Sequence, residues 1–414
     1  MLDDVSRRKY IRLAGGSLPA ISGLAGCLGG ELNQQPIRVG ALLPLSASGA
    51  LGTVAKHHRR AIEAAVADIN DAGGPLDRKL DLTVGDSELD QSAAKTAFDS
   101  FVDDDVVGFV GPVTTDISMS LADDLARERV IAISPSSTYP DLASAAVRDG
   151  TKYFARTAAN DVQQARVMAK ILDDDRYVAA DTVAIAHADN DFGKGLATAI
   201  DERISGETVA IVPFTPGTDD YLKQVETVVQ SEADAVAFVS EPGNTAMLEQ
   251  LISYPYYGES VLSEGLIPEN VPLYMNGMYS ASVATERTSS SIELSQKLDD
   301  ITPLAPYTQH AYDAAFLLGL AIEQAGEADA TAISDSLPSV SGGVGQTVTV
   351  GEFERAKTLV SADRTVNYRG ASGPVDLNDD LEPLDSYVIE RVTDFELDEL
   401  ELLRAWVFEE ESTE

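Results

Sequence analysis

Apolar positions along the chain fall into short continuous runs that alternate with stretches of helical period. Residues 37–43 (Ile-Arg-Val-Gly-Ala-Leu-Leu) predict a buried strand and 44–52 a loop of small residues. Residues 55–70 then predict a helix whose Ala61, Ala64, Ala65 and Ile69 fall at helical spacing, stopped by Gly73-Gly74-Pro75. The unit repeats as strand 80–84, helix 93–102, strand 106–110, helix 115–127 and strand 130–133. A second series follows: helix 162–172, strand 182–186, helix 195–204, strand 208–212, helix 221–229, strand 235–239 and helix 245–252. Strands alternating with helices through short loops predict an α/β chain with mainly parallel sheets flanked by helices. Two such series predict two similar lobes, with no shorter repeat beneath them. Residues 258–280 are strand-like and loop-rich, and 307–324 form a helix apolar enough for a lobe interior. Strands are expected at 348–350 and 387–392, with a turn-rich connection over 370–384.

Charge narrows the partners. The chain carries 68 acidic and 30 basic residues, a formal charge of −38 spread over its whole length. Such a field repels nucleic acid and anionic lipid, so no nucleic-acid partner is expected. The 44% of apolar residues in periodic runs argues for a folded core rather than disorder. The composition resembles that of proteins from salt-loving archaea, where counterions screen self-repulsion. About 390 residues beyond the amino-terminal segment is more than one core usually organises, which also favours two domains. With Cys27 alone, no disulfide forms within the chain.

That cysteine has a particular setting. Arg7-Arg8, a weakly apolar stretch over 11–25 and the small-residue run Leu24-Ala25-Gly26-Cys27 follow the order of an export signal. The segment resembles a twin-arginine signal ending in a lipobox, which implies that Cys27 is acylated and anchors the protein at the outer face of the cytoplasmic membrane. Gly15, Gly16, Ser17 and Pro19 break the stretch, which is too short to span a bilayer. Residues 1–27 are thus the expected signal and 28–36 a tether.

Catalytic signatures are missing. The chain has no Gly-x-Ser-x-Gly, no Walker loop and no third glycine after Gly193-Lys194-Gly195. His187 near Asp189 and Asp191 lacks a nucleophile, and the acidic runs lack EF-hand spacing. No enzyme activity, cofactor or metal is expected. In parallel sheets, ligands lie beyond the carboxyl ends of strands, against helix amino termini. Two loops there carry hydroxyls without bulky neighbours: Gly111-Pro112-Val113-Thr114-Thr115 and Ser134-Pro135-Ser136-Ser137-Thr138. They suit a carboxylate or amide held by neutral donors, although Ser and Thr also serve as ordinary helix caps.

The order Ile37-Arg38-Val39-Gly40, Pro44-Leu45-Ser46, Ala67-Asp68-Ile69-Asn70, Gly108-Phe109-Val110-Gly111, Ile133-Ser134-Pro135, Asp191-Phe192-Gly193 and Tyr312-Asp313-Ala314-Ala315 is similar to the leucine/isoleucine/valine-binding group of type I periplasmic binding proteins. The similarity runs from about residue 37 to about 325 and more weakly beyond. It implies two lobes joined by three crossing segments, with the ligand in the cleft between them. The first lobe would comprise 37–154 and 278–365, the second 155–277 and 366–407, leaving 408–414 as an acidic tail.

The resemblance also implies a site. Thr114, Thr115, Ser136, Ser137 and Thr138 would hold the ligand from the first lobe. From the second, Phe192 stands where the family has an aromatic over the ligand. Ser240 and Glu241 follow the strand 235–239, although Glu241 also fits a solvated loop. Glu264 occupies the place of an acid that pairs with the ligand's ammonium group, the alternative being a surface acid. Tyr312 is a further candidate wall, or else packs between helix and sheet. A tyrosine the family often carries near Val54 is absent, so aliphatic amino acids, short amides and urea-like compounds all stay open. The expected function is capture of a small, branched-chain or aliphatic amino acid by a monomer that delivers it to an ABC permease in the membrane. A ligand-sensing module is the alternative.

Overall fold

The computed structural model describes residues 35–411 apart from 257, 285 and 286; Arg7, Arg8 and Cys27 lie outside them. The predicted alternation folds into two sheets. The first has five parallel strands in the order Leu80–Asp86, Ile37–Leu43, Gly108–Val110, Ile131–Ser134 and Phe154–Arg156. The second has seven, in the order Glu396–Leu403, Tyr387–Thr393, Tyr279–Val283, Glu259–Leu262, Ala235–Val239, Thr182–Ala188 and Glu207–Phe214. Tyr387–Thr393 runs opposite to the other six, antiparallel to Tyr279–Val283 on one side and Glu396–Leu403 on the other. Helices cover both sheets, as parallel strands buried on two faces require.

The first core is organised by the helix Thr308–Ala325, whose side chains are buried almost all round. It crosses the helix Gly49–Asp71 closely enough that a Cβ on Gly319 would lie 2.7 Å from Ile69 Cδ1. A side chain there would push the helices apart. The second sheet carries an apolar cluster on each face, one built around Val183, Ile185 and Leu196, the other around Phe238, Met247 and Leu251.

The chain crosses between sheets later than the expected boundaries. Phe154–Arg156 still belongs to the first sheet. Tyr279–Val283 pairs in the second, so a return to the first lobe at 278 is one strand early. Residues Val366, Tyr368, Ala371, Val375 and Leu381 pack in the first core, so the last crossing also comes after 366. The reason is local: Tyr-Ser-Ala-Ser-Val has little β-branched character, and only its partners make it a strand. The acidic strand Glu396–Leu403 was not anticipated, because it buries only Leu403 and shows no apolar face. The strand expected at 348–350 lies at Gln346–Val348. Among the described residues, no helix is long and apolar enough to cross a membrane.

Candidate ligand cleft

The carboxyl ends of strands from both sheets face a common cavity. On the first side, the strand Gly108–Val110 leads through Gly111, at φ +115°, to Thr114 at the N-cap of the helix Thr115–Glu128. Thr114 makes no side-chain cap bond, so its hydroxyl is not committed to the helix. Thr114, Thr115, Ser136 and Thr138 all line the cavity. Thr115 Oγ1 accepts the Thr138 N–H at 3.3 Å, and Ser136 Oγ donates to the Val113 carbonyl at 2.7 Å. These bonds hold the two hydroxyl loops side by side.

Ser137 turns away from the cavity. Its hydroxyl is buried 2.7 Å from Ser118 Oγ and ties the loops together from beneath. A deeper support is Arg156, 1% exposed, which donates to the Ser137 and Tyr139 carbonyls at 3.1 and 2.9 Å. Arg156 Nε also donates to Glu382 Oε2 at 2.9 Å, and Glu382 Oε1 accepts the Asn160 amide at 2.6 Å. A buried arginine spent on carbonyls and a carboxylate is a brace rather than a ligand group.

The opposite wall comes from the second sheet. Asn190 caps the helix Asp191–Asp201 by accepting the Gly193 N–H at 2.8 Å, which sets Phe192 in the first turn against the cavity. The Asn190 amide also donates to Glu241, whose other oxygen accepts from Ser240 Oγ at 3.3 Å and Asn244 Nδ2 at 3.2 Å. Glu241 and Ser240 therefore reach the cavity as part of one network. Glu264 lines it as well, and its carboxylate accepts the Tyr307 hydroxyl. Burial pushes the Glu264 carboxyl up to about 7, with Tyr307 and His310 pulling it down and Asp385 pushing it up.

Tyr307, Gln164 and Pro306 also line the cavity and were not anticipated. Tyr307 sits in the left-handed region at φ 60° as the cap of the helix Thr308–Ala325, a conformation that aims its ring across the lobes. Tyr312 is not a wall. Its hydroxyl donates to Asp68 Oδ2 at 2.5 Å, and its buried ring stacks on Phe316 at 5.8 Å, which makes it first-core packing. Leu51, Val54, Val113, Phe192, Pro242 and Pro306 make most of the remaining surface apolar.

The two sides touch. The Asp191 N–H donates to Asp116 Oδ1 at 3.0 Å across the cleft, and a Cβ on Gly195 would meet the Tyr139 ring at 2.3 Å. His187 is tied to the Ala188 carbonyl and Asp189 to Lys194, both at 2.8 Å, so these groups form no catalytic set. No group of three His, Cys, Asp or Glu side chains able to hold a metal occurs among the described residues.

Comparison with known proteins agrees with this architecture. A family model described as periplasmic binding protein matches residues 36–376. The chemotactic signal transduction system substrate-binding protein BasB of Halobacterium salinarum is 42% identical over 376 residues, covering 90% of this chain and 91% of that protein. The Leu/Ile/Val-binding protein BraC3 of Rhizobium johnstonii is 28% identical, covering 73% of this chain and 83% of its own length. The leucine binding protein LivK of Thermotoga maritima superposes with a TM-score of 0.72 at 17% identity, over 89% of this chain and 99% of that one. The chain is a two-lobed substrate-binding protein, not an enzyme, and belongs to the periplasmic binding protein family.

Proposed function

We propose that the protein captures a small aliphatic amino acid outside the cytoplasmic membrane by closing its two lobes on it. The observation that carries this reading is the pairing, in one cavity, of a hydroxyl-lined side free of cations with an acid on the other side. Thr114, Thr115, Ser136 and Thr138 suit the ligand carboxylate, Glu264 suits the ammonium group, and the apolar remainder suits a hydrocarbon side chain. The ligands named for BraC3 and LivK point the same way. Closure then makes the second-lobe contacts only when the ligand is present, shifting the population toward the shut form.

Thermal-shift measurement against leucine, isoleucine, valine, alanine, urea and short amides tests the assignment. Stabilisation by the aliphatic amino acids is expected; stabilisation by amides or sugars alone would sink it. Affinity should also depend on pH in a defined direction. The Glu264 carboxyl must ionise to pair with an ammonium group, so with its value near 7 the Kd for leucine is flat above about pH 8 and rises toward tenfold per unit below 7. Calorimetry between pH 5.5 and 8.5 reads this slope.

For delivery, the 42% identity to a chemotactic substrate-binding protein favours a membrane signalling partner that reads the shut form. Transfer to an ABC permease is the second reading, favoured by the Leu/Ile/Val-binding relatives. Either partner needs the protein held nearby, and acylation of Cys27 supplies the tether. Cys27→Ser is expected to move the protein from the membrane fraction to the medium, and its retention in the membrane fraction would refute the anchor.

A further inference from the structure

A second cavity of about 340 Å³ lies behind Glu264 and shares a wall with the ligand cleft: Glu264, Pro306 and Tyr307 face both spaces. Its far side is polar, formed by Ser280, Ser282, Gln309, His310 and Glu390. Ser280 and Ser282 stand two apart on one strand face, their hydroxyls 3.0 Å from each other. His310 is 4% exposed, and neither ring nitrogen has a hydrogen-bond partner within the protein. Its Nε2 approaches Asp385 Oδ2 only to 3.6 Å. Buried polar atoms are rarely left unpartnered, and a polar space of this size holds ordered water. The cavity is thus a hydrated pocket separated from the ligand by the thickness of the Glu264 and Tyr307 side chains.

We propose that this rear cavity is a solvent port through which the Glu264 carboxyl exchanges its proton while the cleft is shut, so that capture of an ammonium-bearing ligand releases a proton on the side away from the ligand. The inference rests on the reading of Glu264 as the ammonium partner. The step is a simple ionisation: the carboxyl O–H bond breaks, the proton passes to water in the rear cavity, and the carboxylate left behind pairs with the ligand cation. The lobes already touch beside the cleft at Asp116 and Asp191, and a path behind Glu264 does not depend on their parting.

The groups around Glu264 fit the task. Tyr307 donates to it, and His310 follows one turn along the same helix with its ring 5.1 Å from that of Tyr307. Asp385 faces it from the last crossing segment and Tyr387 from the strand Tyr387–Thr393, while Glu390 of the same strand lines the rear cavity and Glu241 stands in the cleft. Burial lowers the His310 value, but Asp385, Asp313 and Glu264 more than offset this and raise it overall, and its ring nitrogens have no protein partner where it lines the rear cavity.

The experiment mixes the whole protein with leucine at pH 7 in weak buffer, following closure by tyrosine fluorescence and proton release by an indicator dye. The wild type is expected to release about half a proton per leucine, as fast as it closes. Ser282→Val, well tolerated on a strand, and the larger Ser280→Leu/Ser282→Leu, which replaces both paired hydroxyls by hydrocarbon, narrow and dry the port. They should leave Kd and the amount of proton within about twofold but delay its release at least tenfold behind closure. Release that stays synchronous with closure in both variants overturns the port and leaves the Glu264 reading standing. Leucine binding with no proton release in the wild type, or no binding of leucine at all, overturns both. An arm without variants uses wild type shut on 4-methylpentanoate at pH 6. Its Glu264 carboxyl infrared band should shift within the mixing time in D2O, and a shift that waits for reopening is equally fatal to the port.

Discussion

Glu264→Gln is expected to weaken leucine binding about a hundredfold at pH 8 while changing the affinity for 4-methylpentanoate by about threefold at most. The size follows from what the change removes. In the shut cleft the ammonium group of leucine would lie out of water, and truncating one partner of a buried, hydrogen-bonded charge pair costs about 2–5 kcal/mol. Glutamine keeps the shape and still accepts the Tyr307 hydroxyl, so the loss reads charge rather than packing. The des-amino analogue lacks the cation and should be indifferent to the change. The part of the pH slope of leucine affinity that Glu264 carries should vanish in the same variant. Folding supplies a control with the opposite sign. Burial raises the Glu264 value to about 7 in the folded protein, above that of an unfolded glutamate, so the ionised side chain costs stability as pH rises through that interval. The unliganded variant should therefore melt higher than wild type above pH 7, the difference fading toward pH 4. Equal losses for leucine and for its des-amino analogue, measured by calorimetry, would remove Glu264 from ammonium recognition.

The groups behind these expectations were legible in the sequence to different degrees. Thr114, Thr115, Ser136 and Thr138 could be found because a strand followed by small hydroxyl residues fixes both position and chemistry, whatever the tertiary detail. Ser137 could not be separated from its neighbours, since which of three adjacent hydroxyls faces the cavity depends on how Ser118 meets the loop. Tyr312 was misplaced for a related reason: a helix buried nearly all round offers no periodic clue to which residue faces what. Its aromatic role in the cleft belongs instead to Tyr307, five residues earlier, where a left-handed cap turns the ring outward. That conformation has no signature in Ala-Pro-Tyr-Thr. The crossing points came late for want of a local signal, because Tyr279–Val283 and the packing of 366–381 are decided by strand and core partners more than a hundred or some fifty residues away.

Arg156→Met is expected to cost about 3–5 kcal/mol of folding stability, because it leaves the buried Glu382 carboxyl without its partner. For a protein with a net stability of about 5–15 kcal/mol this is a large fraction, read as a fall in the urea midpoint. The informative comparison is with the double variant Arg156→Met/Glu382→Leu. Replacing a buried pair by apolar groups of similar volume is often close to neutral, so the second change should recover most of the charge-related loss. It does not restore the two bonds from Arg156 to the Ser137 and Tyr139 carbonyls, nor the acceptor for Asn160. Those bonds hold the Ser136 and Thr138 loop at its height in the cleft. Ligand affinity in the double variant should thus remain at least tenfold weaker than wild type even where nearly all the protein is folded. Stability and binding separate in this pair because the ion pair sets the first and the carbonyl contacts set the second. A double variant that regains both would show that the loop keeps its position without the arginine, and that the ion pair serves packing alone.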